Sequence, residues 1–300
     1  MRRLLIFLAI SGAGLLCLAP FASVHAQQSG DVTRGAYVYR AAGCQGCHTD
    51  PADQKKKILL SGGRALKTPF GIYYTPNITP DPETGLGKWN FANFRRALRD
   101  GKNPAGENYF PVFPYPAYTK MSETDMRDLW AYLRSVPAVK RTNKAHDTKF
   151  IFGIRFFALP WRILYFTPGA MAPDPDKSAE WNRGAYLVEA LSHCTECHTP
   201  RNFLGGFVGG KYLAGTLEGP DGDPVPNITP DPETGIGEWS EDDYESLLGL
   251  GMLPDGDFIG GEMTEVYENT SKMTDADRRA MITYLKTVPP IRNKISKKEK

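Results

Sequence analysis

The stretch Cys44-Gln45-Gly46-Cys47-His48 recurs 150 positions later as Cys194-Thr195-Glu196-Cys197-His198. No other feature constrains the chain as much. Two cysteines separated by two residues and followed at once by histidine are the attachment signature of c-type haem. One short helical turn presents both thiols for thioether bonds to the haem vinyl groups, and the adjacent imidazole becomes the proximal iron ligand. The chain has five cysteines, and apart from Cys17 in the N-terminal apolar run, the two motifs use them all. Two disulfides would suit an oxidising compartment, but they give no reason for a histidine behind each pair. The reading is two covalently bound haem c groups, with Cys44, Cys47, Cys194 and Cys197 as attachment points and His48 and His198 as iron ligands.

The motifs head a longer duplication. Arg34-Gly35-Ala36-Tyr37 returns as Arg183-Gly184-Ala185-Tyr186, and Asn77-Ile78-Thr79-Pro80-Asp81 as Asn227-Ile228-Thr229-Pro230-Asp231. Lys120-Met121-Ser122 matches Lys272-Met273-Thr274. A repeated unit of this length is a duplicated domain.

Each copy reads as three helices joined by long loops, with little β pattern. The first helix carries Gly35 or Gly184, where a bare backbone lets another helix approach. The middle helix starts after Asn90 or Ser240, good N-cap residues, and stops at Gly101 or Gly251. The last starts at Ser122 or Thr274 with an acid three residues on, a variant of the capping box. The Asn-Ile-Thr-Pro-Asp loops read as rigid turns beside the haem. Calcium binding by Asp81, Glu83, Asp231 and Glu233 is a minor alternative without a hexadentate pattern.

An electron-transfer iron usually takes a second axial ligand, and methionine raises its potential. Met263 stands sixty-five residues after His198, on a loop before the last helix. The same spacing after His48 reaches Phe113. For the first haem Met121 is the remaining methionine on that side; it is either the ligand or a core residue beneath the helix cap. His146 and His193 are the other unassigned histidines after the leader.

Between the copies, residues 149–166 are aromatic and aliphatic but interrupted by Arg155, Pro160 and Arg162, too broken for a membrane span. A helix would put both arginines on one face. The segment is expected to clamp the two copies together, with docking to a partner subunit or a membrane surface as the alternative.

At the N-terminus, Arg2 and Arg3 precede an apolar run and Val24-His25-Ala26 offers a cleavage site, the pattern of a secretory signal peptide. The expected location is the periplasm, with peripheral membrane attachment as a variant. Removing residues 1–26 takes two arginines and no acids, so the formal charge falls from +2 to 0. No basic excess supports nucleic-acid binding. The expected layout is a signal peptide, 1–26; a first domain, 27–145; an interdomain segment with an amphipathic stretch, 146–177; and a second domain, 178–300.

Over residues 30–292 the chain resembles tandem class I cytochrome c domains, a mainly α fold. More closely it resembles the dihaem and trihaem cytochrome c subunits of bacterial membrane-bound alcohol and gluconate dehydrogenases. The two haem motifs, both Asn-Ile-Thr-Pro-Asp loops and Phe110-Pro111-Val112-Phe113-Pro114-Tyr115 carry the likeness. It implies an electron-transfer protein without substrate chemistry of its own, taking electrons from a dehydrogenase and passing them to a cytochrome, quinone or oxidase. The alternatives are a dihaem enzyme such as a peroxidase or thiosulfate dehydrogenase, or a tightly bound subunit of a dehydrogenase complex. Two departures stand out: a third haem motif is absent, and Val112-Phe113-Pro114-Tyr115 replaces the Ala-Met-Pro-Tyr of many members.

Overall fold

The computed structural model describes residues 29–54 and 59–296, so the expected signal peptide and Cys17 lie outside the described residues. The first copy comprises α1 (Val32–Ala41), the motif turn α2 (Cys44–His48), α3 (Pro51–Gln54), α4 (Phe91–Asp100), α5 (Tyr115–Tyr118) and α6 (Glu123–Ser135). An interdomain helix α7 (Ala158–Tyr165) follows. The second copy comprises α8 (Ala179–Tyr186), α9 (Thr195–His198), α10 (Glu241–Leu250), α11 (Glu262–Thr270) and α12 (Asp275–Leu285). The three main helices expected of each copy are present, supplemented by these shorter turns.

The capping signals work as their chemistry requires. Asn90 accepts from the Asn93 amide at 2.9 Å, and Gly101 ends α4 in the left-handed conformation. Ser240 and Asp243 form a full capping box on α10, which ends at Gly251. Ser122 and Thr274 cap α6 and α12. In each copy the first and last helices cross at a glycine. A Cβ on Gly35 would overlap the Asp128 carbonyl, and one on Gly184 the Ala280 carbonyl. Around these crossings Val38, Tyr39, Met126 and Leu129, and Val188, Leu191, Met281 and Leu285, are buried in one core cluster spanning both copies.

A small antiparallel sheet was not anticipated. β1 (Ala65–Thr68) pairs with β2 (Gly71–Tyr74), and β2 with β3 (Asp147–Thr148). Its signal was short: four-residue strands around a turn where the Thr68 hydroxyl donates to the Gly71 carbonyl at 2.9 Å.

The interdomain segment sits on this sheet. Tyr73, Phe110 and Ala158 make a second, small core, with Phe70 and Val112 packed against it. His146 belongs to the same place: its Nδ1 accepts from the Tyr74 amide at 3.2 Å, and its ring packs on Tyr73 and Phe110. Toward the second copy the segment reaches the 202–206 loop, where the Tyr165 hydroxyl accepts from Asn202 at 3.2 Å. The two arginines turn inward onto aromatic rings, Arg155 over Tyr109 and Phe110, Arg162 over Tyr115 and Phe166. Guanidinium groups shed water readily enough to stack this way.

Candidate haem centres

Each haem motif hangs from a helix that must stop and restart. Gly43 ends α1 with φ +59°, freeing the chain to begin α2 at Cys44. The second copy reaches the same point differently. α8 continues as a π-helical stretch, Leu187–Leu191, and His193 takes the left-handed position with φ +40°. All four motif cysteines are half-buried, and none is used in a disulfide. Burial pushes Cys44 and Cys194 up to about 12, so both are uncharged at neutral pH.

The two histidines are held identically. His48 Nδ1 lies 2.8 Å from the Pro76 carbonyl, and His198 Nδ1 lies 2.8 Å from the Pro226 carbonyl. A carbonyl can only accept, so Nδ1 carries the proton and Nε2 keeps its lone pair. Burial lowers both imidazole pKa values, with the carbonyl contact opposing. These are neutral imidazoles with one nitrogen fixed and the other ready for a metal, the usual arrangement behind a ligating histidine.

The repeated loops exist to hold those carbonyls. Asn77 Nδ2 donates to the Val139 carbonyl at 2.7 Å and to Thr84 Oγ1 at 3.0 Å. The Thr79 amide and hydroxyl both donate to Asn77 Oδ1. Asn227 makes the matching bonds to Ile291 and Thr234, and Thr229 to Asn227. Asn77, Thr79, Asn227 and Thr229 are buried, and a polar network this fully satisfied fixes one geometry. The calcium alternative is corrected by the same bonds. Asp81 Oδ1 accepts from the Thr84 amide and hydroxyl, and Asp231 Oδ1 from those of Thr234. Glu83 pairs with Lys140 and Glu233 with Arg292. Among the described residues no group of three or more His, Cys, Asp or Glu is arranged to hold a metal ion.

A further pair escaped sequence reading. Leu60 and Leu213 are buried at φ +64° and +57°, a strained conformation for leucine, repeated in both copies. Their amides are held by Thr49 and Thr199, the residues directly after each histidine. The Leu60 and Leu213 carbonyls are held as well, by the Ile78 and Ile228 amides, so the shared positive φ accompanies long-range bonds that no local propensity would announce.

The two motifs lie close across the interface between copies. Tyr118 donates its hydroxyl to the Ala42 carbonyl at 2.8 Å, and its ring meets that of His193 edge-on at 5.4 Å. Ser192 donates to the Ala41 carbonyl at 3.1 Å. Burial pushes the Cys197 thiol up to about 12, aided by Glu196 and then Cys47, which places the two motifs within electrostatic reach. On the other side Arg64 donates to the Gly46 carbonyl and bridges to Glu262 and Glu265 of α11, locking the second copy over the first motif.

Met263 lies in the first turn of α11, half-buried, four residues before Tyr267 and therefore on the same helix face. The Tyr267 ring covers Gly251 at the end of α10, so this face looks into the second copy. Met121 is fully buried, and its carbonyl accepts from Arg99 at 2.7 Å. Met273 is buried at the matching place, its carbonyl accepting from Arg278 at 2.8 Å. Phe113 packs among Tyr109, Tyr115 and Tyr118. His146 is committed to the small core, and the His193 ring packs against Tyr118 of the first copy.

The donor set fits haem: two free thiols and one oriented, neutral imidazole at each of two equivalent places. Comparison with known proteins agrees. The cytochrome c family profile matches residues 32–137 and 182–289. A diheme cytochrome c-type protein of Cereibacter sphaeroides is 40% identical over 292 residues, covering 96% of this chain and 97% of that one. The cytochrome c subunit of a quinone alcohol dehydrogenase of Gluconobacter oxydans is 36% identical, covering 93% of this chain but 59% of that subunit. A fructose dehydrogenase cytochrome subunit of Gluconobacter japonicus is 38% identical over 86% of this chain and 52% of its own length. The chain thus spans nearly all of the first relative and just over half of the two dehydrogenase subunits.

Proposed function

This chain belongs to the cytochrome c family, an electron-transfer protein with two covalently bound haem c groups, and from that premise we propose that it carries electrons in the periplasm from a dehydrogenase to a downstream respiratory acceptor. The observation that carries the reading is the pair of matched histidines, His48 on Pro76 and His198 on Pro226, in motifs within electrostatic reach of each other. When bound, haem supplies one-electron iron chemistry. The chain's own residues do the rest. Cys44 and Cys47, and Cys194 and Cys197, anchor the groups. His48 and His198 present Nε2, and the Asn77 and Asn227 networks keep them from rotating.

Met263 is proposed as the sixth ligand of the second haem, since its helix face looks into that copy. For the first haem the twin placement of Met121 and Met273 supports the core role of Met121 over the ligand role. That site would then hold its haem without a methionine partner, and the two haems would differ in potential. A potential difference gives the electrons a direction. The dehydrogenase is the proposed donor because relatives of this chain are dehydrogenase cytochrome subunits; cytochrome, quinone or oxidase is the proposed acceptor.

The test is threefold. Pyridine haemochrome assay should give two haems per chain. Fractionation should recover a chain starting near Gln27 from the periplasm. Pull-down from the native host should retrieve a larger flavin- or quinone-cofactor dehydrogenase that reduces the protein. One haem per chain removes the whole reading, whereas failure of the pull-down alone removes the donor.

A further inference from the structure

Of the fifteen large hydrophobic side chains exposed among the described residues, eight lie between Phe150 and Leu164. Phe150 is 86% exposed, Phe156 69% and Ile163 75%. Phe203, 87% exposed, and Leu204 extend the patch, because neighbouring Gly205 lies against Phe70 and Trp161. Single exposed hydrophobics are ordinary, but a contiguous ridge of them marks an interaction surface. The usual polarity of such a segment is reversed here. Arg155 and Arg162 stack inward, and the phenylalanine and isoleucine tips point out.

Beside the ridge runs a groove with two chemically different ends. One recess, of about 400 Å³, is lined by Arg96, Asp100, Lys102, Gly106 and Arg162. The next, of about 260 Å³, shares Lys102 and Arg162 and continues along Leu159, Ile163, Phe166 and Pro168. A buried Arg162 Nη1 has no hydrogen-bond partner. A cationic recess opening onto an apolar channel, next to projecting aromatic tips, matches an anionic amphiphile: phosphate at Arg96, Lys102 and Arg162, acyl chain along Leu159 and Ile163. Across residues 140–166 there are six cations and one acid, Asp147, whereas residues 27–300 as a whole carry a formal net charge of 0. No described helix is long and apolar enough to cross a membrane.

We propose that residues 150–164, with Phe203, dock this protein on the surface of a bilayer containing anionic phospholipid, one headgroup seated in the Arg96–Lys102–Arg162 recess. The side chains named here lie outside both haem motifs, so their substitution leaves the attachment cysteines and His48 and His198 in place.

Flotation of the haem-loaded mature protein with vesicles of phosphatidylcholine, with and without phosphatidylglycerol, tests the proposal. Binding should be strong with phosphatidylglycerol and weak without. Phe156→Asp with Ile163→Asp should lower the partition coefficient by at least about tenfold per side chain, with haem spectra unchanged. If that variant matures poorly, Phe156→Ser with Ile163→Ser serves the same purpose. Arg96→Glu with Lys102→Glu should abolish the preference for phosphatidylglycerol. Inorganic phosphate should strip the protein no better than chloride at equal ionic strength. Selective stripping by phosphate would instead make the recess a site for free phosphate. That result, absence of flotation, or flotation unaffected by the apolar substitutions would each overturn the proposal, and a protein partner would then be left as the occupant of this face.

Discussion

The Tyr37 hydroxyl of the first copy donates to Asp277 Oδ2 of the second at 2.5 Å and accepts from the Thr274 amide at 3.2 Å. The exchange is reciprocal. Tyr186 of the second copy donates to Asp125 and accepts from the Ser122 amide at 3.0 Å. Each copy's first helix therefore completes the N-terminal cap of the other's last helix. A hydrogen bond to a charged acceptor contributes about 1.5–3 kcal/mol. Tyr37→Phe with Tyr186→Phe should weaken the interface enough for calorimetry to resolve two unfolding transitions where the parent shows one. A single unshifted transition would contradict the role given to these bonds.

Gly35→Ala and Gly184→Ala should each be severe. The new methyl group meets a backbone carbonyl, Asp128 or Ala280, which cannot yield as a side-chain tip could. Separating the helices opens the core behind them at a cost of roughly 3 kcal/mol or more. The expected outcome is a sharp fall in haem-loaded yield, measured by in-gel haem staining.

His193 stands where the repeat has Gly43, in a conformation that costs a non-glycine residue about 1–2 kcal/mol. The imidazole offsets this strain through its contacts with the Ala42 carbonyl and the Tyr118 ring. His193→Ala keeps the strain and loses the contacts, whereas His193→Gly loses both. Thermal midpoints should rank His193→Gly above His193→Ala, with the parent highest. The reverse order of the two variants would mean that the backbone at 193 is not strained.

Burial, with Arg155 nearby, holds the His146 imidazole below its ordinary value of 6.5. The unfolded chain then binds this proton more readily than the folded one. His146 contributes its full stability above about pH 6.5, and loses it as pH falls through that value toward the lower folded pKa. Protonation would also remove the acceptor that Nδ1 offers to the Tyr74 amide. Urea midpoints of the parent and His146→Phe, compared on either side of about pH 6, should converge on the acid side.

Met263→His should lower the potential of one haem and abolish its sulfur–iron absorption. Met121→Leu, a nearly volume-conserving change in the core, should leave both haem spectra intact and cost less than about 1.5 kcal/mol. Altered ligation in the Met121 variant would return that residue to the iron.

The haem motifs, the duplication, the capping of α4, α6, α10 and α12, and the glycine crossings were legible in the sequence. Each depends on residues close together in the chain or on a repeated pattern. The expectation for residues 149–166 needed more. Periodicity put both arginines on one face of a helix, and only the fold supplied the rings of Tyr109, Phe110, Tyr115 and Phe166 that draw both guanidiniums inward.

By itself, then, the sequence determined the chemistry of Cys44 to His48 and its twin, since two thiols and an imidazole at that spacing admit few uses. Only the tertiary structure decided how that chemistry is oriented and paired. Pro76 and Pro226 fix each histidine from twenty-eight residues away. Tyr37 and Asp277 meet across 240 positions of chain. Contacts of that kind form only when two complete copies fold against each other, because loop closure over such distances must be sustained by the whole buried interface rather than by any local preference.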